Sequence, residues 1–205
     1  MRVTRLLVLV LGVVVAGAGS TAMADAAVHH GKVNCHGGTI AAGTYKSLRV
    51  SGACTLVQSG NVTVRGNVVV TSTGLFNAGT PAKLVVGGDV VVQHHGATAI
   101  GCSPDIGCAA LGADVVHGSI HGQGAAAVIV HGTSVGGDVT IRGGGQTMDC
   151  TVMAPFGAPY YSVVEDSHVH GNLACFNNIA PPQVGDSTGQ PNIVGGQRRG
   201  ECAAL

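Results

Sequence analysis

The sequence predicts an all-β, single-domain protein: a right-handed parallel β-helix (β-solenoid) with rungs of roughly 20 residues and inserted loops. Three observations predict this fold. A unit of two short β-branched runs separated by a Gly-Asx pair recurs along the chain, glycine supplies 34 of 205 residues while aromatic residues make up only 3%, and every proline falls between the predicted strands. Glycine-rich corners around a narrow core of Val, Ile, Leu and Ala account for this composition.

The clearest copy of the repeat runs from Leu84 to Val92, with Gly87-Gly88-Asp89 between two runs of aliphatic residues. The glycine before the Asx residue anchors each copy, and the anchors are Gly66, Gly88, Gly137 and Gly171, with weaker copies at Gly118 and Gly196. Their spacing varies around a base period of roughly twenty residues, so the longer gaps are interpreted as loops inserted at corners. Glycine adopts positive φ freely and Asn or Asp tolerates it, so each pair is expected to turn the chain in that conformation.

Residues 1–24 are predicted to be a secretory signal peptide. Two arginines open the segment, an apolar run extends from Leu6 to about Gly19, and Ala22 and Ala24 form a small-residue cleavage site. The apolar run is too short to span the ~30 Å hydrocarbon core of a bilayer. Residues 25–205 are therefore expected to form one β-helix domain that is secreted, extracellular or at the cell surface, with no transmembrane segment.

The charge balance gives no electrostatic case for nucleic acid as a partner. The chain has ten basic and ten acidic residues, and the predicted signal peptide contains two of the former and none of the latter. The mature chain would therefore be slightly acidic, whereas nucleic-acid-binding domains are basic. No cofactor is predicted.

All seven cysteines lie after the predicted signal peptide, where disulfides are more common than metal ligands. The favoured pairs are Cys35 with Cys54, Cys102 with Cys108, and Cys175 with Cys202. They would tie both ends of the domain and leave Cys150 unpaired. A rival pairing of Cys150 with Cys175 would leave Cys202 free, and spacing alone does not decide between the two.

Residues 33–58 are expected to form the N-terminal end of the domain, where a disulfide would limit fraying and edge pairing. The distinctive stretches of the mature chain are the opening Asn34-Cys35-x-Gly37-Gly38-Thr39-Ile40-x-x-Gly43-Thr44-Tyr45-Lys46-Ser47-Leu48, the Gly-Asx-Val repeats, Gly101-Cys102-Ser103-Pro104-x-x-Gly107-Cys108, and the ending from Gly185-Asp186-Ser187 to Cys202-Ala203-x-Leu205. Together they resemble small secreted bacterial Gly/Val-rich parallel β-helix proteins without an assigned activity. The resemblance implies the fold and export, and it implies no catalytic, cofactor-binding or metal-binding residue.

Histidines are the first candidate metal ligands. His168 and His170 alternate, so both are expected to project from one strand face beside Glu165 and Asp166, and such ligands suit Zn²⁺ or Cu²⁺. No compact signature such as His-Glu-x-x-His accompanies them, so they are interpreted as polar residues of an exposed face and no metal site is predicted. The same interpretation applies to His94 with His95 and to His117 with His121.

Asp89 and Asp138 are the second candidates, because they occupy equivalent repeat positions and could bind Ca²⁺ along one edge, as acidic clusters do in β-helix polysaccharide lyases. Asn67 and Asn172 take the same position in other copies. A site that required carboxylate charge would not accept an amide there, and the glycine-rich Ca²⁺-binding nonapeptide is absent. A role in the corner turn is therefore preferred.

The segment from Gly143 to Asp166 is predicted to be an inserted loop. It gathers Phe156, Tyr160 and Tyr161 in a chain otherwise poor in aromatic residues. Aromatic loops on a rigid scaffold often bind ligands, so these three residues are a candidate contact site. Alternatively, the loop covers one sheet face with a small core of its own.

Three functional classes fit these features. The leading one is a secreted non-catalytic structural or surface-binding β-solenoid of the cell envelope or matrix, whose partner would be a cell-wall or extracellular glycan or a protein. A carbohydrate-active enzyme, a polysaccharide lyase or hydrolase, would need a carboxylate pair or a Ca²⁺ cluster beside a basic residue, and no such set can be assembled, so no catalytic residue is predicted. End-to-end self-assembly is disfavoured if disulfides cap both ends.

Overall fold

The computed structural model describes residues 29–104, 108–110, 112–145, 162–179, 181–185 and 191–203. These residues form an all-β structure, with a 3-10 turn at Glu201–Ala203 near its C-terminal end. Nothing helical in this part of the chain is long and apolar enough to cross a membrane. The predicted signal peptide lies outside the described residues.

The strands are β1 (His29–Cys35), β2 (Gly38–Ile40), β3 (Gly43–Val50), β4 (Ala53–Leu56), β5 (Asn61–Val64), β6 (Val68–Val70), β7 (Leu75–Ala78), β8 (Lys83–Val86), β9 (Val90–Val92), β10 (Ala97–Ile100), β11 (Val115–Val116), β12 (Ile120–Gln123), β13 (Ala127–His131), β14 (Ser134–Val135), β15 (Val139–Arg142), β16 (Val163–Glu165), β17 (His168–Val169), β18 (Leu173–Phe176), β19 (Gln183–Gly185), β20 (Ile193–Val194) and β21 (Arg198–Gly200). Every pairing among these strands is parallel. The all-β class and the parallel pairing agree with the sequence prediction.

The strands stack in three rows. Row 1 contains the first half of β3 with β5, β8, β11, β14, β17 and β20, and row 2 contains the second half of β3 with β6, β9, β12, β15, β18 and β21. The two rows belong to one sheet because β3 is long enough to pair with both β5 and β6. Row 3 is a separate sheet of β2, β4, β7, β10, β13, β16 and β19. From β3 onward the chain passes through rows 1, 2 and 3 in that order, and each pass is called a repeat below.

The core is built mainly from alternate residues of the strands. In row 1 the register places Val64, Val86, Val116, Val135 and Val169 side by side in successive repeats, and all five are fully buried. Valine suits such positions because its β-branched side chain packs well on a pleated surface. Burying each one contributes roughly 1.5–3 kcal/mol relative to exposure.

Rows 1 and 2 meet at a corner formed by the Gly-Asx pairs, called the outer corner below. Its residues Asn67, Asp89, Ser119, Asp138 and Asn172 form a chain of hydrogen bonds. Each side-chain oxygen accepts a hydrogen bond from the backbone N–H of the equivalent residue one repeat later, over separations of 22, 30, 19, 34 and 25 residues. These separations equal the spacing of the anchor glycines in the sequence, so the recurring pair marks the true register.

The anchor glycines are needed for space rather than for positive φ, so the predicted reason for them is wrong. None of the six has a φ in the positive range. A Cβ atom on Gly88, Gly118, Gly137 or Gly171 would overlap the outer-corner oxygen of the repeat before, and one on Gly196 would lie 2.8 Å from Asn172 Oδ1. Glycine leaves room for the hydrogen bond that its neighbour makes.

Three cysteine pairs lie at disulfide distance, with Cα–Cα separations of 6.4 Å for Cys35 and Cys54, 5.7 Å for Cys102 and Cys108, and 5.2 Å for Cys175 and Cys202. All three separations are ordinary for disulfides. The first pair joins β1 to β4 and the third joins β18 to the 3-10 turn. Because Cys175 lies against Cys202, it is not available to Cys150 in this arrangement. Cys150 itself is outside the described residues, and its free thiol stays a prediction.

Candidate functional site

The two aspartates considered for calcium are engaged in the outer corner. Asp89 Oδ1 accepts the Ser119 N–H at 2.9 Å, and Asp138 Oδ1 accepts both the N–H and the Nδ2–H of Asn172, at 2.6 and 3.1 Å. Ser119 occupies the position between the two carboxylates, so they are not neighbours along the stack. Their geometry suits backbone capping, and it does not bring two carboxylates together.

The histidine pair considered for zinc or copper lies as expected on one exposed face. The His168 and His170 rings stack with centroids 4.1 Å apart and an interplanar angle of 24°. The expectation that Glu165 lies beside them is wrong, because Glu165 belongs to row 3, where it is 1% exposed and faces His131. Among the described residues, no three His, Cys, Asp or Glu side chains are grouped so that they could hold a metal ion.

A buried polar cluster that the sequence did not reveal joins row 3 to the loop after β10. Ser103 Oγ lies 3.2 Å from His131 Nδ1, and Glu165 Oε2 lies 3.7 Å from the same nitrogen. Gln183 donates its Nε2–H to Glu165 Oε1. Ser103, His131 and Glu165 are each no more than 3% exposed.

This cluster has the residue types of a nucleophilic triad without its geometry. In such triads the hydroxyl and the carboxylate contact opposite nitrogens of the imidazole, so that one nitrogen takes the proton while the other is held. Here the hydroxyl and the carboxylate both approach Nδ1, and the hydroxyl is fully buried. The contacts connect residues of neighbouring repeats.

Rows 3 and 1 meet at a second corner, called the inner corner, formed by Asp114, Thr133, Ser167 and Asn192. All four are at most 5% exposed. Thr133 N–H donates to Ser167 Oγ at 3.3 Å, and Ser167 N–H donates to Asn192 Oδ1 at 2.9 Å. Ser167 Oγ and Asn192 Oδ1 thus each accept a hydrogen bond from the repeat before.

Asp114 is the charged member of the inner corner. Its Oδ1 accepts the Leu84 N–H at 2.8 Å and its Oδ2 accepts the Gly101 N–H at 3.0 Å. Burial raises the pKa of Asp114 to about 6, although these two hydrogen bonds and the nearby Lys83 charge favour the ionised form. The carboxylate serves the backbone and is too deeply buried to meet a large substrate.

A groove of about 660 Å³ lies on the outward face of row 2. Its lining residues are Val91, Val92, Gln93, His94, His121, Gly122, Gln123, Thr140 and Arg142. His121 and Arg142 are exposed, and the register pairs His121 with Thr140 and Gln123 with Arg142. The groove thus presents imidazole, amide, hydroxyl and guanidinium groups, and none of its lining residues is acidic.

Two groove side chains are held in place by their neighbours. The Arg142 guanidinium carbon lies 4.7 Å from the centroid of the Phe176 ring, a cation–π contact that keeps the guanidinium on the surface of the sheet. The His94 ring packs directly against Gly124, where a Cβ would overlap it and where φ is +60°. Glycine is therefore required at this position for both conformation and space.

Basic residues continue the groove toward both ends of row 2. The register aligns Arg49, Val69, Val91, His121, Thr140, Ala174 and Arg199 in one outward column. Arg49 and Arg199 are exposed and lie three strands on either side of His121, which corresponds to roughly 14 Å at the usual strand spacing. We refer to Arg49, His121, Arg142 and Arg199 as the cationic face.

Sequence reasoning grouped the histidines by proximity in the chain, and the structure groups them differently. His117 lies at the corner between rows 1 and 2, where its carbonyl approaches Gly136, whereas His121 lies in row 2 and shares the groove with His94. This arrangement could have been predicted from the strand register that the anchor glycines define. Aligning Gly88 with Gly118 places Val91 beside His121, as observed.

The predicted contact loop cannot be located, because Phe156, Tyr160 and Tyr161 lie outside the described residues. On the outward face of row 3, Leu75, Ala97 and Ala127 are themselves at most 3% exposed. This apolar strip is therefore not a free surface. Both interpretations of the loop stay predictions.

Comparison of the chain with known protein families, with curated proteins and with solved structures found no match.

Proposed function

We propose that this chain is a secreted, non-catalytic, single-domain right-handed parallel β-helix that binds a partner of the cell envelope or extracellular matrix through its rigid outer faces. Support for the closed helical path comes from the constant order of rows 1, 2 and 3 around one apolar core. Parallel crossover connections are right-handed in nearly all proteins, which supports the hand. The three cysteine pairs are compatible with an oxidising, extracellular location.

The non-catalytic proposal rests on one observation: carboxylates of the described residues are engaged in hydrogen bonds within the fold. Five of them accept hydrogen bonds within the fold: Asp89, Asp114, Asp138, Glu165 and Glu201. Acid–base catalysis on a polysaccharide would require a carboxyl group close to the bond that breaks and open to the substrate. Four of these five carboxylates accept backbone N–H groups, and Glu165 accepts the Gln183 side chain.

The binding proposal follows from the rigidity of the rows. The strands of row 2 are held by parallel pairing on both sides and by a fully buried inner layer of side chains. Little conformational entropy should therefore be lost on binding. A polymer can contact several repeats of such a surface at once, and weak contacts then add up along its length.

The test is a sedimentation assay of residues 25–205, with disulfides intact, against insoluble cell-wall polysaccharides and matrix material. The same mixtures are assayed for new reducing ends and for unsaturated uronides. We expect the protein to sediment with at least one polymer without releasing either product. Reduced and unfolded protein is the control, and it should stay in solution.

Two results would contradict the proposal. Release of sugar products by the purified protein, abolished by changing one Asp or His while binding survives, would establish an enzyme. Failure to sediment with any polymer or matrix protein would remove the evidence for a binding role.

A further inference from the structure

We propose that the cationic face binds an acidic polysaccharide, a sugar chain carrying carboxylate or sulfate groups, that lies in the row 2 groove and runs across the strands. This inference rests on the proposed binding function and specifies its site and ligand class. It begins from charge: the face contains Arg49, His121, Arg142 and Arg199, and no acidic side chain lines the groove or stands in its outward column.

The direction of the chain follows from the register. Arg49, His121 and Arg199 occupy one column at intervals of three strands, and Arg142 lies one strand beyond His121. The column runs perpendicular to the strands. A linear polymer lying along it would meet a cationic or imidazole group at regular intervals of roughly 14 Å.

Neutral hydrogen-bonding groups favour a sugar. Gln93, Gln123 and Thr140 line the groove between the basic groups, and their amides and hydroxyl can both donate to and accept from sugar hydroxyls. Arg142 is restrained by Phe176 and His94 by Gly124, so two of the groove side chains lose little freedom on binding. Guanidinium groups also bind carboxylates and sulfates through paired hydrogen bonds.

A nucleic acid fits these features less well. Single-stranded nucleic acids bind where bases stack on open aromatic faces, and in this groove the nearby Phe176 ring is covered by Arg142. The chain as a whole has equal numbers of basic and acidic residues, so it lacks the strongly positive field typical of nucleic-acid-binding domains. Nucleic acid is therefore an alternative outcome of the test.

The experiment compares Arg142→Gln with Arg65→Gln in the full mature chain. Both changes remove one positive charge from an exposed side chain, but Arg65 directly follows β5 of row 1 and does not line the groove. Binding is measured by calorimetry to polygalacturonate, with uncharged dextran and a single-stranded DNA oligonucleotide as comparison polymers. His121→Gln is measured as a second groove variant.

We expect wild-type protein to bind polygalacturonate and not dextran. Arg142→Gln should weaken that binding roughly tenfold, the loss expected when a hydrogen bond to a charged group is removed. His121→Gln should weaken it by less, and Arg65→Gln should change it less than about twofold because exposed charges at a distance are screened. Melting temperatures of all three variants should match the wild type.

Three results would overturn the inference: no binding to polygalacturonate, an equal loss from Arg65→Gln and Arg142→Gln, or DNA binding of similar strength with the same dependence on Arg142. If the protein instead sediments with a neutral polymer and both groove variants bind it normally, the groove inference falls while the proposed binding function stands. If it binds no polymer or matrix protein at all, both fall.

Discussion

The outer and inner corners solve the same problem in different surroundings. At both, a column of side-chain oxygens accepts backbone N–H groups from the neighbouring repeat. The outer corner is half-buried to exposed and uses Asn, Asp and Ser interchangeably, whereas the inner corner is buried and its accepting residues are Asp114, Ser167 and Asn192. The choice of residue matters more at the buried inner corner, because water can replace a lost hydrogen-bond partner only at the outer corner.

The two corners also have opposite polarity. At the outer corner a later N–H donates to an earlier side chain, as Ser119 N–H does to Asp89. At the inner corner an earlier N–H donates to a later side chain, as Thr133 N–H does to Ser167. The repeat that contains β17 is therefore attached to the repeat before it through its own Ser167 and through Asp138 of the earlier repeat.

The largest expected effect is that of Asp114→Ala. The change removes the acceptor of two buried N–H groups, those of Leu84 and Gly101, so the free energy of unfolding should fall by about 2–5 kcal/mol. Chemical denaturation at about pH 5, where the carboxyl is mostly protonated in the fold, measures it. The matched change at the outer corner, Asn67→Ala, should cost only about 0.5–1.5 kcal/mol. Equal losses would mean that burial does not distinguish the corners.

The second effect is a pH dependence from Asp114. Its pKa rises on folding from 3.8 to about 6, so the fold favours the protonated form. The stability associated with protonation is fully present below the unfolded-state pKa and is lost as pH rises through about 6, which amounts to about 3 kcal/mol. Denaturation between about pH 4 and about pH 7 should show this loss in the wild type relative to Asp114→Asn. A difference that stayed constant with pH would contradict it.

A third effect, about 1–3 kcal/mol, is expected from Gly137→Ala at the outer corner. The added Cβ would overlap Ser119 Oγ and lie 3.1 Å from the Gly118 carbonyl oxygen, so strand spacing would have to widen. Gly31→Ala is the control, because a Cβ there meets no atom within 4 Å. Thermal unfolding of both variants measures the difference in stability. A wild-type melting temperature for Gly137→Ala would show that the corner can accommodate a methyl group.

The smallest effect should come from Asp89→Asn. An amide oxygen can accept the Ser119 N–H as the carboxylate does, and Asn67 and Asn172 already fill this position in other repeats. The free energy of unfolding should change by less than about 0.5 kcal/mol. The experiment is repeated with added Ca²⁺, and a Ca²⁺-dependent stabilisation lost in Asp89→Asn would revive the cation site that the geometry disfavours.

The outer corner explains why so much of the fold could be predicted from the sequence. Its glycine and acceptor recur together, so the spacing from Gly66 to Gly196 gives the strand register directly. The inner corner has no recurring sequence motif. Its residues Asp114, Thr133, Ser167 and Asn192 are of four different types and have in common only a buried side-chain oxygen. The physical role of the glycines was also hidden, since close approach and positive φ select the same residue.

The groove was harder to predict for a different reason. It depends on residues from three repeats, and His94 and Arg142 come to line the same groove only once loops of unequal length have been assigned to corners. The cluster of Ser103, His131 and Glu165 has the same origin. The spacing of the repeats predicts that equivalent positions align in columns. Which side chains share a column is known only once every inserted loop has been assigned to a corner.

The opposite polarity of the corners also bears on how the stack grows during synthesis. When the repeat that contains β17 docks, Asp138 of the repeat before it accepts the Asn172 N–H at the outer corner, and Ser167 of the new repeat accepts the buried Thr133 N–H. Much of the free energy of unfolding should therefore come from the interfaces between repeats, and each folded repeat should serve as a template for the next. A chain shortened to end at Gly145 would leave Thr133 N–H without Ser167 Oγ, and we expect it to lose more unfolding free energy than its missing share of residues, as urea denaturation would measure.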